Sequence, residues 1–249
     1  MAVLSTDIKD YKSTTEDDTD NCGGAIDTGA EITSGVDNNL FPDITGQEAL
    51  DGVTKYRKHF RKNTHGSDSW INVWSWITQQ PTNCALHMAV GLNHADDIKG
   101  KMSSLTAWGS ANNVALISDG ADTRSVDILG IVSGVKTSET VVLTGAVEVL
   151  SVNTYDKIFA VSVQSLDASR TVTIKEGTGG TTRGTIALNG KLCALWLTGT
   201  SIDTKAEGYG HGDIAAAAAL GLWYKIVVPP SSSSVSANSY LTKSEGESA

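Results

Sequence analysis

The chain has little cysteine, few aromatic residues and no long apolar run, and each shortage excludes a class of protein. The three cysteines, Cys22, Cys84 and Cys193, are odd in number and widely spaced, which predicts free thiols in a reducing compartment. No CxxC pair or Cys/His cluster indicates a zinc site. No window approaches the roughly 18 apolar residues of a membrane span, and MAVLSTDIKDY lacks the basic and apolar regions of a signal peptide. We therefore expect a soluble protein that is made in a cytoplasm and has no membrane partner.

The acidic residues are concentrated at the start of the chain. Residues 1–51 carry 12 acidic and 2 basic side chains, a net charge of −10, whereas the remaining residues carry 16 acidic and 17 basic ones. This acidic arm has three interpretations: a solvated surface segment, a segment that docks on a basic neighbour, or a segment that folds back on its own chain. Its candidate interface carboxylates are Glu16, Asp17, Asp18 and Asp20. Calcium binding is not predicted there, because the spacing and terminal Glu of an EF-hand are missing.

The composition is typical of β structure. Helical runs of Leu, Glu, Lys and Ala are nearly absent, while glycine (25 residues), threonine, serine and valine are plentiful. Between Val114 and Thr200, seven short runs rich in β-branched residues are bounded by turn residues, at the intervals expected of a sandwich or barrel. The turn Gly177–Gly180 precedes no helix, so it does not predict a nucleotide-binding loop. The sequence therefore predicts an all-β protein.

The segment Thr54–Thr78 contains two β-type runs separated by a Gly/Ser/Asp turn. We predict that it forms an antiparallel hairpin, because side chains alternate along each run and the turn suits a loop longer than two residues. The first run then has a basic outer face, formed by Lys55, Arg57, His59 and Arg61. The second run has an aromatic face, formed by Trp70, Trp74 and Trp76. These seven residues are candidate interface residues.

Closely spaced, strand-like runs begin near Val114 and end near Thr200, and after Thr200 the sequence pattern of the first part of the chain returns. An interrupted domain explains this pattern, since insertion into a surface loop is tolerated when the ends of the insert lie close together. We predict a β-sandwich, of jelly-roll or immunoglobulin-like type, formed by residues 1–104 and 203–249. A second small β-sandwich or barrel, residues 107–200, interrupts it.

Several short patterns occur in a fixed order at the two ends of the chain. The opening ones are DIKDYKS, GGAI, AEITSG, NNLFPDITGQEALDG, KYRKHFRKNTHG and NVWSWI, and the closing ones lie in GHGDIAAAAALGLWYKIVVPPSSSSVSANSYLTKSEGES. Together these two parts, about 135 residues, resemble a family of tailed-bacteriophage virion structural proteins. The inserted part is similar to small β domains that are repeated in phage particle proteins. Basic residues stand near Lys58 and His59 where the family has apolar ones, and one lysine, Lys225, replaces two arginines.

The resemblance implies a non-enzymatic component of a phage virion, made in the bacterial host cytoplasm, that decorates or cements the capsid through protein–protein contacts. Its partners would be the major capsid protein or tail proteins, with no nucleic acid and no cofactor. The alternative is a tail, baseplate or head-fibre component that contacts host glycans; the candidate aromatic residues are Trp70, Trp74, Trp76, Trp108 and Trp196. A hydrolase is not predicted, because no Ser, His and Asp stand in an elbow or triad context.

We also expect a homo-oligomer, with a trimer as first choice. The basic face of one copy would receive the acidic arm of the next in a head-to-tail contact that closes as a ring. Burial of the tryptophans would supply most of the stabilisation, because surface ion pairs contribute only about 0–1 kcal/mol each. Fold-back of the arm within one chain is the alternative.

Overall fold

The structure, a computed structural model, describes residues 2–164, 170–187, 190–198, 204–233 and 240–248. Within these residues the chain forms 18 β-strands, one short α-helix and two 3-10 turns. The predicted all-β, sandwich-type fold is confirmed. No helix in the described ranges has the length and hydropathy that crossing a membrane requires.

The strands and the helix fall into three stretches of the chain. The first stretch contains β1 (Ile8–Thr15), β2 (Gly23–Glu31), α1 (Gly46–Asp51), β3 (Val53–Asn63), β4 (Trp70–Gln79) and β5 (Ala85–Val90). The middle stretch contains β6 (Met102–Leu105), β7 (Asn112–Ser118), β8 (Ser125–Val132), β9 (Val135–Val142), β10 (Val149–Tyr155), β11 (Lys157–Val163), β12 (Val172–Glu176), β13 (Thr181–Ile186) and β14 (Leu192–Leu195). The last stretch contains β15 (Leu197–Thr198), β16 (Tyr209–Ile214), β17 (Ala219–Val228) and β18 (Leu241–Ser248).

The chain divides into two compact units, one formed by residues 1–95 with 197–249 and the other by residues 96–196. The division near residue 96 lies earlier than the predicted start of the insert at 107. The difference arises from β6. The sequence of this segment is polar and indicates a connection, but the structure shows that β6 pairs in parallel with β14 of the second unit. At the other end, β15 pairs with β5 and so belongs to the first unit.

The first unit has a six-stranded sheet in the order β15-β5-β17-β3-β1-β2 and a three-stranded sheet in the order β16-β4-β18. The centre of the larger sheet joins both ends of the chain, because β3 pairs with β1 on one side and with β17 on the other. The pairing of β17 with β3 runs without a break over ten residues, from Ala219 opposite Lys62 to Val228 opposite Val53.

The predicted hairpin of Thr54–Thr78 is wrong, although both of its strands exist. β3 lies in the six-stranded sheet and β4 in the three-stranded sheet, so their connection crosses between the two sheets. Both edges of β3 are already occupied, which leaves β4 to pair elsewhere. Asn63 fixes the crossing, because its side chain donates to the carbonyl oxygens of Asp68 (2.9 Å) and Ile214 (3.1 Å).

A bulge in β4 changes the predicted aromatic face. Asn72 has a φ of +50°, and the pairing of β4 with β16 and with β18 shifts on either side of it. The extra residue reverses the alternation, as β-bulges do. Trp70 therefore packs in one cluster with Val73, whereas Trp74 and Trp76 lie on the opposite face. The prediction of one face for all three tryptophans is wrong for this reason.

The second unit has a four-stranded sheet in the order β10-β7-β12-β13 and a five-stranded sheet in the order β6-β14-β11-β8-β9. Its two sheets are connected at both edges. At one edge the Thr106 amide donates to the Arg183 carbonyl oxygen (2.7 Å). At the other, the Glu139 carboxylate of β9 accepts bonds from the Val152 amide (2.5 Å) and the Asn153 amide (3.1 Å) of β10. Such edge closure suppresses pairing with other chains.

Candidate interaction surface

The basic face of β3 is buried, not exposed. Lys55, Arg57, His59 and Arg61 are at most 9% exposed. Because β3 is central in the six-stranded sheet, this face points towards neighbouring segments of the same chain. The prediction of a basic outer face is therefore wrong. Four buried cationic or titratable side chains need partners inside the unit, since unpaired buried charge is strongly destabilising.

The acidic segment after β1 supplies part of the partners. Arg57 Nη1 donates to Asp18 Oδ1 (2.7 Å) and to the Asp17 carbonyl oxygen (2.7 Å), and Arg57 Nε lies 3.8 Å from Glu16 Oε2. Lys55 Nζ lies 3.0 Å from Asp18 Oδ2. Asp20 is exposed. The segment thus folds back on its own chain, which is one of the three interpretations drawn from the sequence.

The short helix α1 supplies a further partner for Lys55. Glu48 Oε1 lies 2.7 Å from Lys55 Nζ. The same carboxylate accepts a bond from the Thr45 amide (2.8 Å), while Thr45 Oγ1 accepts one from the Glu48 amide (3.2 Å). This capping box fixes the start of α1 and holds Glu48 at the end of β3. Burial works to lower the pKa of Lys55, but the hydrogen bonds with Glu48 and Asp18 outweigh it and the pKa is raised.

Arg61 forms the second ion pair of the buried face. Its Nε and Nη2 atoms each donate to one oxygen of Asp10, both at 2.8 Å, and its Nη1 atom donates to Ser244 Oγ of β18. Burial works to raise the pKa of Asp10, but the charge and hydrogen bonds of Arg61 outweigh it and the pKa is lowered. One guanidinium thus connects β1 and β3 of the larger sheet with β18 of the smaller one.

His59 lies between the two ion pairs. The centroid of its ring lies 4.9 Å from that of Tyr224, with the two rings tilted by 31°. Its Nε2 atom has no hydrogen-bond partner among the described residues but lies 3.8 Å from Asp10 Oδ1. Burial lowers the pKa of His59 to about 4, against the opposing effect of Asp10. Burial also raises the pKa of Tyr224 to about 12. At neutral pH the side chains of His59 and Tyr224 are therefore both uncharged, and His59 separates the ion pairs of Arg57 and Arg61.

The tryptophans contribute to the packing of the unit itself. Trp70 and Trp76 are 8% and 5% exposed, so they are not a free apolar surface. Lys243 lies over the Trp76 ring, 5.3 Å from its centroid. Only Trp74 among the three is partly exposed; its indole packs across Gly210 and its Nε1 atom donates to Asn72 Oδ1 (3.0 Å).

Within the described residues, no group of three or more His, Cys, Asp or Glu side chains is placed to hold a metal ion.

The structure adds residues of the buried face that the sequence did not single out. Asp10, Glu48 and Tyr224 come to β3 from three separate segments. The Thr45-x-x-Glu48 pattern could have revealed the capping role of Glu48, but no local signal indicates which carboxylate faces Arg61.

Comparisons of the chain with protein-family models, with curated proteins and with solved structures give no match. The family resemblance of the two chain ends therefore stays a prediction.

Proposed function

We propose that this protein is a non-enzymatic structural component of a bacteriophage virion that decorates or cements the capsid through protein–protein contacts. The observation that supports it most directly is where the resembling segments lie. DIKDYKS falls in β1, KYRKHFRKN in β3 and GLWYKIVV in β17, and these three strands are neighbours in one sheet. Patterns at opposite ends of the chain thus form one structural unit, as a shared domain requires.

The construction of the two units fits a role as a rigid building block. In the first unit, the ion pair of Arg61 with Asp10 connects β3 with β1, a hydrogen bond from Arg61 to Ser244 connects β3 with β18, and the ring of His59 lies against Tyr224 of β17. In the second, Glu139 and Thr106 close the sheet edges. Closed edges favour defined contacts over uncontrolled strand pairing. The proposed partners are the major capsid protein or tail proteins, and the proposed state in the particle is a homo-oligomer, with a trimer as first choice.

A second candidate, a tail or head-fibre component that contacts glycans, is favoured by Trp74. This indole is partly exposed, held flat across Gly210 and flanked by the exposed residues Asn72 and Asp213. An aromatic face beside amide and carboxylate groups is suited to a sugar ring. Packing across a cross-strand glycine explains the same geometry without a ligand, so this candidate ranks second.

Quantitative mass spectrometry of gradient-purified phage particles tests the proposal. A structural component should be present in a fixed number of copies per major capsid protein, and this ratio should not change on repeated purification. A soluble host protein of similar abundance in the lysate provides the control and should be depleted. Peptides of this chain in the soluble fraction only would rule out a virion role.

A further inference from the structure

Strand β18 is held in the first unit with little burial of its own residues. None of the eight residues Leu241–Ser248 is buried, and in the described part of the chain β18 pairs only with β4. The anchors within the strand are polar: Ser244 Oγ contacts Arg61 Nη1 and Ser75 Oγ, and Glu245 lies 3.0 Å from Lys205 Nζ. The main apolar anchor is Tyr240, just before the strand, whose ring lies 6.3 Å from that of Phe41 and 6.4 Å from that of Tyr224. Apart from Tyr240, little apolar surface opposes release of the strand.

The groove that receives β18 has the opposite character. Along β4 it presents Ser75 and Trp76, which are 1% and 5% exposed with the strand in place, and Arg61 from the larger sheet. At its end the groove is lined by the Trp70 indole: a Cβ added to Gly246 would lie 2.6 Å from Trp70 Nε1. Loss of β18 would uncover this buried surface and the Arg61 guanidinium, so the groove requires a strand in it.

We propose that the groove along β4 is an exchange site that accepts strand β18 of a second copy of this chain. The occupant is defined by the structure, because the chain's own β18 fits the groove and an identical strand from another copy makes the same contacts. Exchange of an identical element is a low-cost route to association. The inference goes beyond the proposed function, since it names the element that two copies exchange and holds for this chain whether or not it belongs to a virion.

Linker length and local concentration decide whether β18 occupies the groove of its own chain or the groove of a second copy. The chain is anchored up to Ser232, whose amide donates to the Ala49 carbonyl oxygen (3.0 Å), and Ser233, whose Oγ accepts from Asn83 Nδ2 (2.8 Å). Seven peptide steps from Ser233 to Tyr240 reach at most about 25 Å, so the accepting groove must begin within that distance of Ser233. A short linker gives the chain's own strand an effective concentration in the millimolar range. Exchange is therefore expected when copies are equally concentrated, as in an assembled lattice.

Disulfide trapping between two variants of the full chain tests the proposal. One variant carries Ser75→Cys and the other Ser244→Cys, both in a Cys84→Ser background because Cys84 is the least buried native thiol. The two are mixed, unfolded in urea, refolded together at about 1 mM and oxidised. Exchange predicts covalent dimers joined through positions 75 and 244, at about ten times the yield of a mixture in which exposed Ser34→Cys replaces Ser244→Cys.

Two further variants make the outcome decisive. A single chain with Ser75→Cys and Ser244→Cys should form the intrachain disulfide, which shows that the groove tolerates both changes. Adding Gly246→Val to the Ser244→Cys partner should reduce the dimer yield to the level of the Ser34→Cys mixture, because the new side chain meets Trp70. An efficient intrachain disulfide together with a mixed yield no higher than that of the Ser34→Cys mixture overturns the proposal.

Discussion

Arg61 and Asp10 form a buried ion pair whose loss should strongly affect stability. Their paired bonds at 2.8 Å satisfy a guanidinium that is almost fully buried. Arg61→Met leaves the Asp10 carboxylate without its partner, and we expect the free energy of unfolding to fall by about 3 kcal/mol. Urea unfolding measures this loss. Adding Asp10→Asn should recover part of it, whereas Lys9→Ala, which removes the exposed pair with Glu31, should change nothing measurable.

His59 makes stability depend on pH. Folded His59 has a pKa of about 4 and unfolded histidine about 6.5, so only the unfolded state binds a proton between these values. The contribution of His59 to the free energy of unfolding is therefore largest above pH 6.5 and falls by about 3 kcal/mol as the pH drops towards 4. Chemical unfolding at several pH values measures the slope.

His59→Gln should flatten that slope between pH 6.5 and 4.5, and the exposed His94 provides the matched control. His94→Gln should retain the wild-type slope. Equal slopes in all three proteins would show that His59 is not the group that titrates.

At the scale of the strand, the bulge at Asn72 decides which tryptophans enter the core. A φ of +50° is tolerated by asparagine and glycine but is strained for a β-branched residue. Asn72→Val should therefore lower the free energy of unfolding by about 1–3 kcal/mol, and Asn72→Gly should cost less. If valine is accepted as well as glycine, the bulge does not constrain β4.

The edge between β9 and β10 depends on one carboxylate. Glu139 accepts bonds from the amides of Val152 and Asn153 and from Asn153 Nδ2 (2.8 Å). We expect Glu139→Ala to speed hydrogen exchange at these two amides while the amides of β11 stay protected. Ser138→Ala, at an exposed position of the same strand, is the control. Unchanged exchange at Val152 in Glu139→Ala would show that the carboxylate does not close this edge.

Local patterns in the sequence predict which residues form strands better than they predict which strands pair with each other. Alternation and turn residues predict β3 and β4 as strands, because those signals lie within each strand. The sheet membership of β3 and β4 depends on β1 and β17, which are distant in sequence, so adjacency suggests a hairpin that does not form.

The basic face illustrates the same limit for the candidate site. Alternation correctly places Lys55, Arg57, His59 and Arg61 together. Exposure does not follow from alternation, since it depends on what covers the strand, and in this unit Asp18, Glu48 and β18 do so. The acidic arm also contains β1 and β2, so its negative charge includes strand residues such as Asp10 as well as a surface segment.

For the whole molecule, the division into two units predicts that the second unit can be removed. β17 pairs with β3 and β5 inside the first unit, and β15 returns beside β5. Replacing residues 96–196 by a linker of about six residues should therefore leave a first unit that unfolds cooperatively. Circular dichroism during urea unfolding measures this. A shortened chain without a cooperative transition would show that residues 96–196 are required for folding of the first unit.

A cryo-electron microscopy map of intact particles tests the central claim most directly, because it locates the chain among its neighbours. We predict density for both units over the capsid shell, at positions set by the capsid lattice, with copies in contact with the major capsid protein. Density confined to the tail, or none on any part of the particle, would contradict it.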